Sequence, residues 1–174
     1  PGDWLWTVPN TFVASANCAI YCGAQVDFVD IDPATYTMCT SALETNLRAA
    51  KDNGRLPKVI VPVHLCGQSA DMNAIAKLAL VYGVKIIEDA SHSIGATHQG
   101  GPVGNCKYSD ITIFSFHPVK IITTCEGGMA TTQDKGLARR MELARNHGIT
   151  REPSEMSHEP DGQWYYQQIS LGYN

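Results

Sequence analysis

The stretch K-V-I-V-P-V-H (58–64), the helix-period segment D-M-N-A-I-A-K-L-A-L-V-Y (71–82) and V-K-I-I-E-D (84–89) together decide the fold. A strand with one wet face alternates apolar and polar residues. The near-continuous apolar runs at 58–64 and 84–87 instead describe strands buried on both faces. Between them Ile75, Leu78, Ala79 and Tyr82 fall on one side of a helix that Gly83 stops. Two doubly buried strands joined through a helix make a parallel crossover unit, because parallel neighbours need a connection of that length.

Working outward, the same alternation continues. Upstream, Trp4 to Val8 reads as a strand closed by Pro9, and Thr11 to Cys22 as a helix with Asn10 as N-cap and Gly23 as the stop. Gln25 to Ile31 is strand-like before the Asp32-Pro33 turn. Ser41, with Glu44 three residues on, has capping-box spacing for a helix that runs to Asn53-Gly54. Downstream, Ile111 to Phe114 and Gly128 to Thr132 are strands, and Lys135 to Asn146 is a helix ahead of Gly148. G-G-P-V-G (100–104) reads as a hairpin turn, and the polar, Pro-containing stretch 149–166 as a mobile loop. The expected architecture is α/β: a mostly parallel sheet with helices on both faces.

Composition narrows the function classes. The chain has 174 residues, 44% hydrophobic and 17% charged, with 15 Gly and 9 Pro, values of an ordinary globular domain. Thirteen Lys and Arg against seventeen Asp and Glu give a formal charge of −4 without a basic run, so no nucleic-acid partner is expected. No apolar stretch approaches the roughly 18 residues of a membrane span, so no membrane partner is expected either. The six cysteines (Cys18, Cys22, Cys39, Cys66, Cys106, Cys125) contain no CxxC pair, which points away from a metal site and towards reduced thiols in the cytoplasm. The chain opens on Pro1-Gly2-Asp3 without a methionine and stops at L-G-Y-N (171–174), which reads as part of a longer protein.

Ligands of open α/β sheets bind outside the carboxyl ends of the strands. Two strand ends carry polar residues: E-D-A-S-H (88–92) and S-F-H-P-V-K (115–120). Lys120, set in an apolar loop, would lose proton affinity by desolvation and suit a Schiff base with an aldehyde cofactor. Asp89 either caps the segment that follows it or pairs with a pyridinium nitrogen. His92 is a polar core residue or a catalytic base, and Ser115 a strand terminator or a phosphate ligand. His64 and Cys66 find no further ligand spacing for a metal. Walker-A, dinucleotide G-x-G-x-x-G and G-x-S-x-G patterns are all missing.

Three stretches in order, V-P-N-T-F-V-A-S-A-N (8–17), I-I-E-D-A-S-H-S-I-G-A (86–96) and F-S-F-H-P-V-K-I-I-T-T-C-E-G-G (114–128), resemble the DegT/DnrJ/EryC1/StrS family of sugar aminotransferases. The closing L-G-Y-N is similar to the start of the family's next block. The wording around Lys120 looks most like the branch that aminates UDP-linked 4-keto-6-deoxy-N-acetylhexosamines for pseudaminic acid synthesis.

The resemblance implies a pyridoxal 5′-phosphate enzyme of fold type I, with residues 1–174 as part of an aspartate-aminotransferase-like large domain. A further N-terminal segment and a C-terminal small domain would lie outside it. The resemblance makes Lys120 the Schiff-base lysine and proton shuttle, Asp89 the partner of the pyridine nitrogen and His92 a neighbour of the 3-hydroxyl. Phe12 would stack on the ring and Ser115 bind the phosphate. Asn174 would reach the phosphate of a neighbouring subunit, implying a homodimer with a shared active site. The substrates implied are L-glutamate and a nucleotide sugar, used in two half-reactions. Cys125 stands where relatives commonly carry Gly. Two alternatives accompany this reading: a cofactor-dependent sugar dehydratase, whose known members carry His in place of the lysine, and a non-catalytic binding or regulatory protein on the same fold.

Overall fold

The computed structural model describes residues 1–173, in two compact units, 1–133 and 134–173. Asn174 lies outside the described residues. In chain order the first unit contains β1 (Trp4–Thr7), α1 (Ala14–Tyr21), β2 (Gln25–Phe28), α2 (Thr40–Asp52), β3 (Val59–Ile60) and a short 3-10 turn (Leu65–Gly67). It continues with α3 (Met72–Tyr82), β4 (Lys85–Asp89), β5 (Thr97–His98), β6 (Gly101–Pro102), β7 (Ile111–Ser115) and β8 (Gly128–Thr131).

Six of these strands form one sheet in the order β2-β1-β3-β4-β7-β8. Every neighbouring pair is parallel except β7 with β8, where Ser115 pairs antiparallel with Gly128. β5 and β6 form a hairpin that turns at Gln99-Gly100, so Gly101 and Pro102, expected within the turn at 100–104, are its second strand. Side-chain alternation sorts the sheet into two faces. Trp6, Ile60 and Ile86 pack with Leu43 and Leu47 of α2 and Ile75 and Ala79 of α3, whereas Leu5 and Val61 pack with Ala19 of α1. Burying each such Leu or Ile stabilises the fold by roughly 1.5–3 kcal/mol. Helices thus cover both faces, as the doubly apolar strands require.

The local departures have physical causes. α1 begins at Ala14, not Thr11, and Val13 precedes it with no side-chain cap. Asn10 instead donates its Nδ2 to the Tyr36 carbonyl at 3.0 Å, so a tertiary bond takes the side chain that was to cap the helix. α2 starts at Thr40 after Cys39 and also lacks a side-chain cap. Glu44 pairs with Arg48 one turn on, at 3.1 Å, instead of reaching back. β3 is two residues long because Pro62 has no N–H to donate. The ladder resumes beyond it: Asp89 N–H donates to the Pro62 carbonyl at 2.9 Å and His64 N–H to the Asp89 carbonyl at 3.0 Å. α3 follows the sequence closely, with Asp71 accepting from Ala74 N–H at its start and Gly83 left-handed at its end.

The second unit holds α4 (Lys135–Ala144), capped by Asp134, and an antiparallel pair of β9 (Ile149–Thr150) with β10 (Gln167–Gln168). The stretch 149–166, expected as a mobile loop, is therefore tied at both ends. Arg139 binds Glu155 and Thr150, and Thr150 Oγ1 donates to Glu155 Oε2 at 2.6 Å.

Candidate active site

β1, β4 and β7 run parallel, so their carboxyl ends and the loops that leave them open on one edge of the sheet. On β4, Glu88 and Asp89 are consecutive and point to opposite faces. Asp89 lies on the α1 side. Its Oδ2 accepts from Ser15 Oγ in the first turn of α1 at 2.6 Å, and its Oδ1 accepts from Ser91 N–H at 3.1 Å. Ser15 is 8% exposed and also meets Thr11 Oγ1 at 2.9 Å. A carboxylate held by two donors keeps its orientation, while lone pairs remain for a further donor.

Phe12, on the β1–α1 loop, is 77% exposed, an uncommon setting for a Phe and a ready face for a planar ring. Ser115 ends β7, two residues beyond the partner of Asp89, and its Oγ accepts from His117 N–H at 3.4 Å. Lys120 follows in the turn after β7, its backbone N–H bonded to the His117 carbonyl at 2.9 Å. Its ammonium has no hydrogen-bond or ion-pair partner among the described residues. The desolvating apolar loop expected around it is not formed: Val119, Ile121 and Ile122 are exposed. They are apolar side chains left without a covering layer.

His92 lies three residues past Asp89, and its Nδ1 accepts from Cys66 N–H at 3.3 Å. Asp89 and Ser115 at strand ends, and Lys120 and Phe12 in the adjoining loops, thus belong to one sheet edge, and His92 is fastened to the loop that follows β3. The remaining expected residue, Asn174, lies outside the described residues.

Two contributors escape a reading by motif. Ser15 is one small residue in a helix, visible only once α1 is laid on β4. Glu88 reads from sequence merely as a neighbour of Asp89, yet it is buried and receives His64 Nε2–H at 2.8 Å, with Ser109 and Thr112 on its other oxygen. Burial pushes the Glu88 carboxyl up, but the hydrogen bonds from His64, Ser109 and Thr112 outweigh it and leave the group below the usual carboxylate value. Strand periodicity was the available signal, since it puts Glu88 on the core side.

Among the described residues no group of three or more His, Cys, Asp or Glu side chains converges as a metal site, and no helix is long and apolar enough to cross a membrane. A groove of about 440 Å³, lined by Gly83, Lys85, Tyr108 and Asp110 among others, lies at the amino ends of β4 and β7, away from Asp89.

The donor set at the carboxyl edge fits pyridoxal phosphate. It offers a fixed carboxylate for a ring nitrogen, an exposed aromatic for a ring face, a hydroxyl at a strand end and an unpartnered amine.

Comparison with known proteins points the same way. The chain is 42% identical over 149 residues to the GDP-perosamine synthase of Caulobacter vibrioides, covering 86% of this chain and 38% of that protein. It is 37% identical over 174 residues to the UDP-4-amino-4,6-dideoxy-N-acetyl-beta-L-altrosamine transaminase of Campylobacter jejuni, covering 97% and 41% respectively. Among solved structures it is similar to Helicobacter pylori PseC, an aminotransferase involved in the biosynthesis of pseudoaminic acid, with TM-score 0.85 and 29% identity over 99% of this chain and 42% of that one. The chain therefore spans about two fifths of the length of these relatives. The model of the DegT/DnrJ/EryC1/StrS aminotransferase family matches residues 1–174, so the chain belongs to that family.

Proposed function

We propose that this chain is part of the cofactor-binding large domain of a pyridoxal 5′-phosphate-dependent aminotransferase. The enzyme moves an amino group from L-glutamate to a 4-keto-6-deoxy nucleotide sugar, with a UDP-linked N-acetylhexosamine as the acceptor. The observation that carries this reading is Asp89, held on both oxygens at the carboxyl end of β4 beside the strand that leads to Lys120. Members of the family are pyridoxal-phosphate-dependent aminotransferases, and the acceptor follows the sequence wording around Lys120.

When bound, the cofactor supplies a ring that takes up negative charge from the donor carbon. The chain's own residues do the rest. Asp89 holds the ring nitrogen protonated, Phe12 covers one face of the ring and Ser115 binds the phosphate. Lys120 Nζ would hold the cofactor and, once the amine of the donor has displaced it, would be the free amine placed to carry a proton to and from the donor's Cα. Acid–base help from one positioned group is worth about 10²–10⁴-fold. The exposed Phe12, Val119, Ile121 and Ile122 support assembly as a homodimer that covers this edge, to whose shared site Asn174 would contribute.

The test is a visible spectrum of the full-length protein with pyridoxal phosphate, before and after L-glutamate, followed by UDP- and GDP-linked 4-keto sugars. A cofactor band that decays with glutamate and returns with the UDP sugar supports the proposal. A band indifferent to glutamate favours a dehydratase, and no band from folded protein rejects the enzyme reading.

A further inference from the structure

Behind Asp89, on the face opposite α1, His64 and Glu88 form a buried pair. Ala70 N–H donates to His64 Nδ1 at 3.2 Å. Nδ1 therefore presents a lone pair and the ring proton sits on Nε2, which donates to Glu88 Oε2 at 2.8 Å. Thr112 Oγ1 at 3.0 Å and Ser109 Oγ donate to Glu88 Oε1. A buried carboxylate met by three donors is a firm anchor, because removing one partner leaves the others unsatisfied.

The anchor controls a loop. The His64 ring ties down both ends of residues 64–70, while its backbone bonds to the segment that carries the site. His64 N–H donates to the Asp89 carbonyl at 3.0 Å, and Ser93 Oγ donates to the His64 carbonyl at 3.3 Å. Inside the loop Cys66 is left-handed, with φ 55°, a strained conformation for a non-glycine residue that relaxes unless held. Held this way, the Cys66 N–H faces His92 Nδ1 at 3.3 Å. Gly67 lies so close that a Cβ there would stand 3.1 Å from the His92 carbonyl oxygen.

We infer that His64 and Glu88 are positioning residues that fix His92 as a hydrogen-bond donor through Nε2, by holding the Cys66 amide against its Nδ1. With Nδ1 occupied as an acceptor, the proton of neutral His92 must sit on Nε2. The use of that donor rests on the proposed function: it suits an ionised ring oxygen of the cofactor, whereas the opposite tautomer would turn a lone pair towards that oxygen and repel it.

The experiment labels the histidine ring nitrogens of the full-length, cofactor-free protein and reads their chemical shifts, together with hydrogen exchange at the Cys66 amide. The expected wild-type result is one His92 tautomer, with Nδ1 bare and Nε2 protonated, and a slow Cys66 amide. In His64→Phe and Glu88→Gln, His92 becomes a mixture of tautomers and Cys66 exchanges at least about tenfold faster. An Nδ1-protonated His92 in the wild type overturns the inference, as does an unchanged tautomer and exchange rate in folded Glu88→Gln. Should His64→Phe fail to fold, the wild-type shifts and the size-conserving Glu88→Gln variant decide. Adding pyridoxal phosphate gives a separate readout. The cofactor band is expected to titrate at a different pH in Glu88→Gln than in wild type. If the wild type forms no band, the functional proposal fails while the tautomer is still settled by the nitrogen shifts.

Discussion

Ser15 Oγ donates to Asp89 Oδ2 at 2.6 Å, across 74 positions of sequence, and so ties the first turn of α1 to the carboxyl end of β4. The bond is short and charge-assisted, the kind that fixes the direction of a carboxylate.

Ser15→Ala therefore lowers both kcat/KM of the full-length enzyme and the stability of its fold. A hydrogen bond to a charged group is worth about 1.5–3 kcal/mol, which corresponds to a loss of about tenfold to 150-fold. Steady-state kinetics with glutamate check this, and a wild-type rate would leave Ser15 as a helix residue only. Asp89→Asn, which removes the charge itself, costs more than Ser15→Ala in the same assay.

Lys120→Ala loses about 10²–10⁴-fold or more of turnover while the far-ultraviolet circular dichroism stays unchanged, since the side chain makes no bond among the described residues. Turnover at the wild-type rate would sink the assignment of Lys120.

Cys125→Gly stabilises the fold. Cys125 has φ 68°, in the left-handed region where a side chain is strained and glycine is not. Relief of that strain, less the greater chain entropy of glycine, leaves a gain of about 0.5–1 kcal/mol, read as a higher denaturant midpoint. A β-branched replacement, Cys125→Val, moves the midpoint the other way.

Acid loosens the second unit in a defined window. Hydrogen bonds from Arg139, then Thr150, hold the Glu155 carboxyl down at about 2. A carboxylate lowered on folding adds stability above its unfolded value of 4.5, and that contribution is lost as pH falls through about 2. Glu88, lowered in the first unit, acts with the same sign. Thermal unfolding followed from about pH 6 downwards is expected to show a shallower acid decline in Glu155→Gln than in wild type. Equal slopes would show that the Arg139–Glu155 pair does nothing for stability.

Much of this was legible in the sequence for identifiable reasons. The doubly apolar runs at 58–64 and 84–87 report the parallel sheet because burial on both faces leaves no room for polar alternation. Asp89, Ser115 and Lys120 are legible because parallel strands deliver their ends to one edge. What stayed hidden depends on long-range partners. Asn10 has the chemistry of a cap, but Tyr36 takes its amide. Ser15 has no local pattern, and its partner is 74 residues away. The stretch 149–166 is polar enough for a free loop, yet Arg139 and β10 fasten it through contacts that no window of sequence contains.

The opposite facing of Glu88 and Asp89 makes the sheet itself a guardian of the chemistry. If β4 slipped by one residue against β3 and β7, the two carboxylates would exchange places. Glu88, one methylene longer and stripped of His64, would meet Ser15, while Asp89 would be driven under α3 with too short a reach for the imidazole. Such a mispaired state is penalised on both faces at once, so a chain that has found its register has also set each carboxylate among its partners. Variation can reshape the loops around this edge, but it cannot shift β4 by one position without losing both the core and the site.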